Sequence, residues 1–178
     1  MPAIRKLYEA QGADRYYRDN ADDYINPHFP EVKDLLERNF YRLDCRRVLD
    51  FCAGGGEVSQ VLQGLGGAGL IGCDPYTYRL FERNTGLPCL RFSFRDVIKG
   101  ADIGNYSLIV SSFALHLCPE KDLFPLVWPL LDAAPMLAVI TPHKRPELEC
   151  LPGIALIWED YSLTGRGKKV RLKVYARE

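Results

Sequence analysis

RRVLDFCAGGGEVSQVLQGL, residues 46–65, decides how this chain folds. Val48 and Leu49 form a short apolar run that ends in an acid, Asp50. Three consecutive glycines follow, Gly54, Gly55 and Gly56, and then Val58, Val61, Leu62 and Leu65 recur at helical spacing. The stretch reads as buried strand, tight turn, helix. Gly54 and Gly56 let the backbone turn sharply and admit a ligand where a Cβ would stand in its way; Gly55 reads as turn alone. The helix points free N–H groups at that ligand. Asp50 lies at the carboxyl end of its strand, where open α/β sheets bind ligands.

The flanks repeat the pattern. Upstream, Pro30 suits the first turn of a helix whose inner face carries Val32, Leu35, Leu36 and Phe40. Downstream, Gly66 and Gly67 stop the loop helix. Residues 70–73 form a second buried strand ending in Asp74, and Pro75 opens a helix over 76–84, closed by Gly86. A third strand over 89–94 ends at Arg95 and Asp96, and a fourth covers 107–111. A helix follows over 120–131, which Pro129 should end or kink. A fifth strand covers 136–141. The last two strands, 154–163 and one carrying Val170, Leu172 and Val174 in alternation, form a hairpin. The expected fold is therefore α/β: a doubly wound, mostly parallel Rossmann-like sheet closed by a C-terminal antiparallel β-hairpin.

The whole chain fits one such domain. It has 178 residues, 47% hydrophobic and 26% charged, with a formal net charge of zero. No basic excess marks a nucleic-acid partner. The most apolar region, 123–140, is cut by Pro125, Pro129, Asp132 and Pro135, so no membrane span is expected. The six cysteines form no C-x-x-C pair and mostly flank apolar runs. They read as small buried hydrophobes in a reducing, cytoplasmic compartment, with no metal site. Residues 1–29 are polar, aromatic and irregular, with Tyr16, Tyr17, Tyr24, His28 and Phe29 within YYRDNADDYINPHF. That is too aromatic for a disordered tail. Residues 1–29 are read as a lid lying against a single domain of residues 30–178.

Two ligands compete for the glycine loop. A dinucleotide fingerprint, G-x-G-x-x-G/A, would place Ser59 at its third glycine and the anion Glu57 in the helix's first turn, where a pyrophosphate would be repelled. The other reading rests on the order Asp50, Gly54, Gly56, then Asp74 after the second strand and Asp96 after the third. That order resembles the class I S-adenosylmethionine-dependent methyltransferase family over residues 46–141. The loop is similar to the family's D-x-G-x-G-x-G, with Cys52 in place of the first glycine. A side chain fits at position 52 only with φ below zero.

The resemblance implies S-adenosylmethionine as cofactor. It implies a site of Asp50, Cys52, Gly54 and Gly56 in the loop and Asp74 with Pro75 at the ribose. Arg95, Asp96 and Val97 would lie around the adenine, Ser111 and Phe113 near the methionine part, and Tyr17 in the lid. A cationic sulfonium without phosphate suits an acidic loop. As a helix cap before Pro75, Asp74 would have a purely structural role instead.

Methyl transfer aligns the acceptor with the methyl and removes a proton if the acceptor holds one. His116, His28 and Tyr24 are the candidates for that step. SFALHL, residues 112–117, resembles the S-x-A-L-H of small-molecule methyltransferases, carboxyl methyltransferases among them. His143, in TPHKRP, is the weaker candidate. Asn26-Pro27-His28-Phe29 looks like the N-P-P-F tetrad of amino-methylating nucleic-acid enzymes, but it lacks the second proline and precedes the glycine loop. The basic run 166–173 reads as a solvated face. The expected activity is methyl transfer to a small molecule or an exposed protein side chain. The alternatives are a non-catalytic cofactor-binding module in a complex and an RNA methyltransferase.

Overall fold

The structure, a computed structural model, describes residues 26–178. Helix α1 (Phe29–Asn39) carries Pro30 in its first turn and buries Val32, Leu35 and Leu36. Then follow β1 (Val48–Phe51), α2 (Glu57–Gly64), β2 (Ile71–Cys73), α3 (Tyr78–Thr85), β3 (Cys89–Leu90) and α4 (Phe94–Ile98). The second half holds β4 (Leu108–Ser112), α5 (Glu120–Ala133), β5 (Leu137–Thr141), β6 (Ile154–Leu163) and β7 (Lys169–Arg177). The seven strands form one sheet in the order β3-β2-β1-β4-β5-β7-β6. Strands β1 to β5 pair in parallel, and β7 pairs antiparallel with both β5 and β6. This is the doubly wound sheet with a terminal hairpin that the sequence calls for.

Strand residues alternate between two apolar cores, as the pleat requires. Leu49, Phe51, Ile109, Leu137, Val139 and Tyr175 pack with Val97 of α4 and Leu126, Val127 and Leu130 of α5. Val48, Leu108, Val110, Ala138, Ile140 and Val174 pack on the other face with Val32, Leu35 and Leu36 of α1 and Val58, Val61 and Leu62 of α2. By this alternation Asp50 and Ser112 face the α1–α2 side. Strand order makes β1 and β4 neighbours although they are distant in sequence. That crossover opens a cleft at their carboxyl ends, where ligands of open α/β sheets bind.

Several features differ from the sequence reading. Helix α5 runs through Pro125 and Pro129 to Ala133. Both prolines lie off the core face, four residues apart, while Leu126, Val127 and Leu130 are buried. The carbonyls they leave without a partner can reach water there. Strand β3 stops at Leu90, because Ser93 and Asp96 close a capping box that starts α4. Helix α3 starts at Tyr78 rather than 76, because the Asp74 carboxylate accepts the N–H groups of Tyr76 and Thr77, both at 2.9 Å. The basic run is not wholly solvated either. Lys173 is buried, and its Nζ lies 3.1 Å from Glu149 Oε1.

One contact fixes how closely α3 lies on the sheet. A Cβ on Gly72 would stand 2.6 Å from the ring of Phe81, which is fully buried and cannot retreat. Gly72→Ala is expected to destabilise the fold by about 1–3 kcal/mol in urea unfolding. Less of that loss should appear in a Phe81→Leu background. An unaltered midpoint for Gly72→Ala would show that α3 packs elsewhere.

Candidate cofactor and acceptor site

The glycine loop leaves β1 through a strained residue. Cys52 has φ of 61°, against the sequence expectation of a negative angle. The cause is the hydrogen-bond pattern: the N–H groups of Cys52 and Ala53 both donate to the Cys73 carbonyl, at 2.7 and 3.3 Å. Two successive donors reach one acceptor only if the chain pivots between them. A non-glycine residue in that region costs about 1–3 kcal/mol and is typical of functional sites. Gly54 and Gly56 take φ of 55° and 89°, as their identity allows.

Gly56 is the N-cap of α2 and has no side chain to offer the first-turn N–H groups. Asp50 supplies the missing acceptor from β1. Its Oδ2 accepts from Ser59 N at 3.2 Å and Ser59 Oγ at 2.8 Å. Burial pushes the Asp50 carboxyl up to about 8, against the two Ser59 bonds and with help from the neighbouring Glu57 and Asp74 charges. Ser59 escaped the sequence reading as a partner; its signal was a hydroxyl three residues past a glycine cap. Asp74 works in the same way from β2. Its Oδ2 accepts from Gly54 N at 3.2 Å, while Oδ1 holds the turn into α3. Asn84, also missed, closes the loop from α3 by donating to the Gly55 carbonyl at 2.9 Å.

A narrow cleft runs beside the loop, lined by Asn26, Asp50, Cys52, Gly54, Glu57 and Ser112. Asn26 N donates to Glu57 Oε1 at 3.2 Å, and burial raises the Glu57 carboxyl. His28 stacks on Phe113, ring centroids 5.1 Å apart at 16°. Phe113 itself has φ of 57°. Two residues proposed from separate parts of the chain thus meet face to face, each close in sequence to a residue that lines the cleft, Asn26 and Ser112.

The remaining predicted residues are distributed unevenly. Ser111 is fully buried within β4, and its Oγ finds no partner among the described residues. Pro75 lies in the turn after β2. Asp96 does not end a strand: it sits in the first turn of α4, exposed, with Oδ2 bound to Ser93 N and Oγ at 2.8 and 2.6 Å. Those Ser93 bonds hold its carboxyl below the usual range. Arg95 is exposed on the same short helix, and Val97 is 1% exposed within the core rather than open to a base. Tyr17 and Tyr24 lie outside the described residues.

His116 stands in a 3-10 turn, Leu115–Leu117, just past β4. Its ring meets that of His143 edge-on, centroids 5.0 Å apart at 62°. Burial first, and His143 second, pull the His116 imidazole down to about 4. Spacing along the chain gave no hint of this pair, which the β4–β5 neighbourhood creates. Among the described residues no group of three or more His, Cys, Asp or Glu side chains could hold a metal. None of their helices is long and apolar enough to cross a membrane.

Known proteins match this architecture. The chain is 30% identical to the uncharacterized protein C17A5.05c of Schizosaccharomyces pombe, over 79% of this chain and 75% of that protein. It belongs to that protein's family. Its fold is shared with solved methyltransferases of class I. The N-methyltransferase NodS of Bradyrhizobium japonicum, solved with S-adenosyl-L-homocysteine, superposes with a TM-score of 0.73 at 10% identity, over 92% of this chain and 97% of that one. Magnesium protoporphyrin IX methyltransferase (ChlM) of Synechocystis, solved with the same product (SAH), gives 0.68 at 15% identity over 98% of both chains. A SAM-dependent methyltransferase from Anabaena variabilis gives 0.70 at 10% identity, over 100% of this chain and 96% of that one. No family model matches.

The Asp50 carboxyl carries a testable consequence. In the fold it is pushed up to about 8, from an ordinary 3.8. A carboxyl raised on folding stabilises fully below its unfolded value and loses that contribution as pH rises toward the folded one. The ligand-free protein should therefore lose stability relative to Asp50→Asn as pH climbs from about 4 to about 8, read from urea midpoints. A difference independent of pH would mean that Asp50 is ionised in the fold.

Proposed function

We propose that this protein is a methyltransferase that binds S-adenosylmethionine on the glycine loop and passes its methyl group to a small molecule or an exposed protein side chain. The observation that carries the reading is the ring of acids on the loop. Asp50 lies beneath it, Glu57 opens the following helix and Asp74 holds Gly54. Three carboxyl groups around one turn offer a pyrophosphate no positive partner, whereas the positive sulfonium and ammonium of the methyl donor would favour their ionised forms. NodS and ChlM, with their bound product, share the fold and so support the choice.

The residues take the following parts. The turn of Gly54–Gly56 brings the backbone against the cofactor, and a side chain there would collide: a Cβ on Gly56 would meet Thr85 Cγ2 at 2.4 Å. Asp74 already receives three N–H groups, which leaves about one of its roughly four acceptor positions for a ribose hydroxyl. Such a charge-assisted bond contributes about 1.5–3 kcal/mol. Asn26, bonded to Glu57, lines the cleft, and His28 stacks on Phe113 next to it, so residues 26–28 would help to cover the donor and keep water from the methyl.

Calorimetry tests the reading directly. The protein should bind S-adenosylmethionine or its demethylated product and give no heat with NAD. Asp74→Ala should weaken that binding by roughly tenfold or more, because it removes the ribose bond and releases Gly54. Binding of NAD without response to the methyl donor would overturn the assignment.

A further inference from the structure

The chain leaving β4 concentrates polar side-chain atoms that are shielded from water. Ser111 Oγ, Ser112 Oγ and His116 Nδ1 are buried without a hydrogen-bond partner among the described residues. Buried polar groups are satisfied in the great majority of cases, so three orphans within six residues call for an explanation. All three lie at the carboxyl end of β4. Ser112 also lines the cleft beside the glycine loop, so the run extends from the cofactor site outward.

The second wall of this corner comes from β5. Thr141 ends that strand, and its Oγ1 accepts the His143 N–H at 3.2 Å, which fixes where the next loop starts. The loop's far end is held too: Glu149 accepts from Lys173 Nζ at 3.1 Å and from Tyr175 OH at 2.9 Å. Between these anchors, His143 is set edge-on against His116. The titratable group that bears on His116 is His143, while Lys144 and Arg145 follow on the same loop and are exposed.

We propose that His116 and His143 form the acceptor end of the site and that the acceptor is a hydroxyl, with His116 as the base that takes its proton and His143 as the positioning residue that holds the ring. The proposal rests on the methyltransferase reading. The chemistry selects the hydroxyl. Ser112, His116 and His143 carry no fixed charge to seat a carboxylate or an ammonium, and Lys144 and Arg145 beyond them are exposed to solvent. An imidazole nitrogen and the Ser112 hydroxyl, both without a partner among the described residues, suit a neutral group that donates and accepts hydrogen bonds. In the step, a lone pair of the hydroxyl oxygen forms the new O–C bond as the C–S bond breaks. The bonding pair stays on sulfur and leaves a neutral thioether. The hydroxyl proton passes to His116 and from there to water.

The experiment uses the full chain, S-adenosylmethionine labelled in the methyl group, and a small-molecule cell extract freed of protein and nucleic acid. The expected labelled product survives mild alkali, is not retained as a base on ion exchange, and is unchanged by peroxide. Those properties, together with release of the label as methyl iodide by hydriodic acid, mark a methyl ether; label retained in hydriodic acid would mark a C-methyl group and overturn the proposal. Alkali-labile label would mark a methyl ester and overturn the proposal, as would a basic product or a peroxide-sensitive thioether. No incorporation, with cofactor binding intact, would overturn the enzymatic reading and the proposal with it. His116→Gln should cost roughly 10²–10⁴-fold in rate. The wild-type rate should stay level from pH 6 to 9, because the buried imidazole is neutral throughout.

His143→Gln should lower kcat about tenfold with an unchanged KM for the donor. It should also raise the pH at which the His116 ring titrates by NMR, since it removes a neighbouring positive charge. If that variant fails to fold, His143→Asn serves for the same two measurements. An unmoved His116 titration with unchanged kcat would remove His143 from the site.

Discussion

The bond between Asp50 and Ser59 is the constraint on which the site depends. Gly56 must be glycine, because its φ is positive and a side chain would strike Thr85 and Phe81. A glycine cap leaves the start of α2 without a side-chain acceptor. The acceptor therefore comes from the neighbouring strand, and Asp50 is buried to provide it. The cost is a carboxyl held far above its ordinary value, in an apolar layer, beside two further acids. Such an arrangement persists where a positively charged ligand can offset it.

The same logic extends to the adjoining strand. Asp74 ties the loop to β2 and the β2 exit to α3 through backbone N–H groups alone. Helix α3 then returns the support: Asn84 holds Gly55, and Phe81 fills the space that Gly72 leaves. The loop is thus clamped from three elements before any ligand arrives. Pre-organisation of this kind lowers the ordering cost of binding. It also accounts for the strain at Cys52, which sits where two of those constraints meet.

The opposite end of the cleft is built from tertiary neighbours. The His28–Phe113 stack and the His116–His143 contact each join segments far apart in the chain. The pairing of β7 with β5 carries Lys173 and Tyr175 to Glu149 and so steadies the loop that bears His143. The C-terminal hairpin does more than close the sheet: it holds the far end of the loop that carries His143.

The sequence by itself determined the strands, the helices and their order, because apolar periodicity and glycine or proline punctuation are local signals. The placing of Asp50, Gly54, Gly56 and Asp74 was legible for the same reason, since each sits at a strand end or a turn. Tertiary structure alone decided which atoms those side chains would hold. Ser59 and Asn84 became loop supports only because α2 and α3 pack against β1 and β2. Asp96 left the strand end for a capping box, because Ser93 three residues earlier offered a nearer partner. Pro129 stayed within α5, because its missing N–H lies on the side away from the core. His143 reached His116 through the pairing of β4 with β5. A linear chain states which groups exist; long-range pairing states which of them meet, and chemistry at the site depends on the meeting.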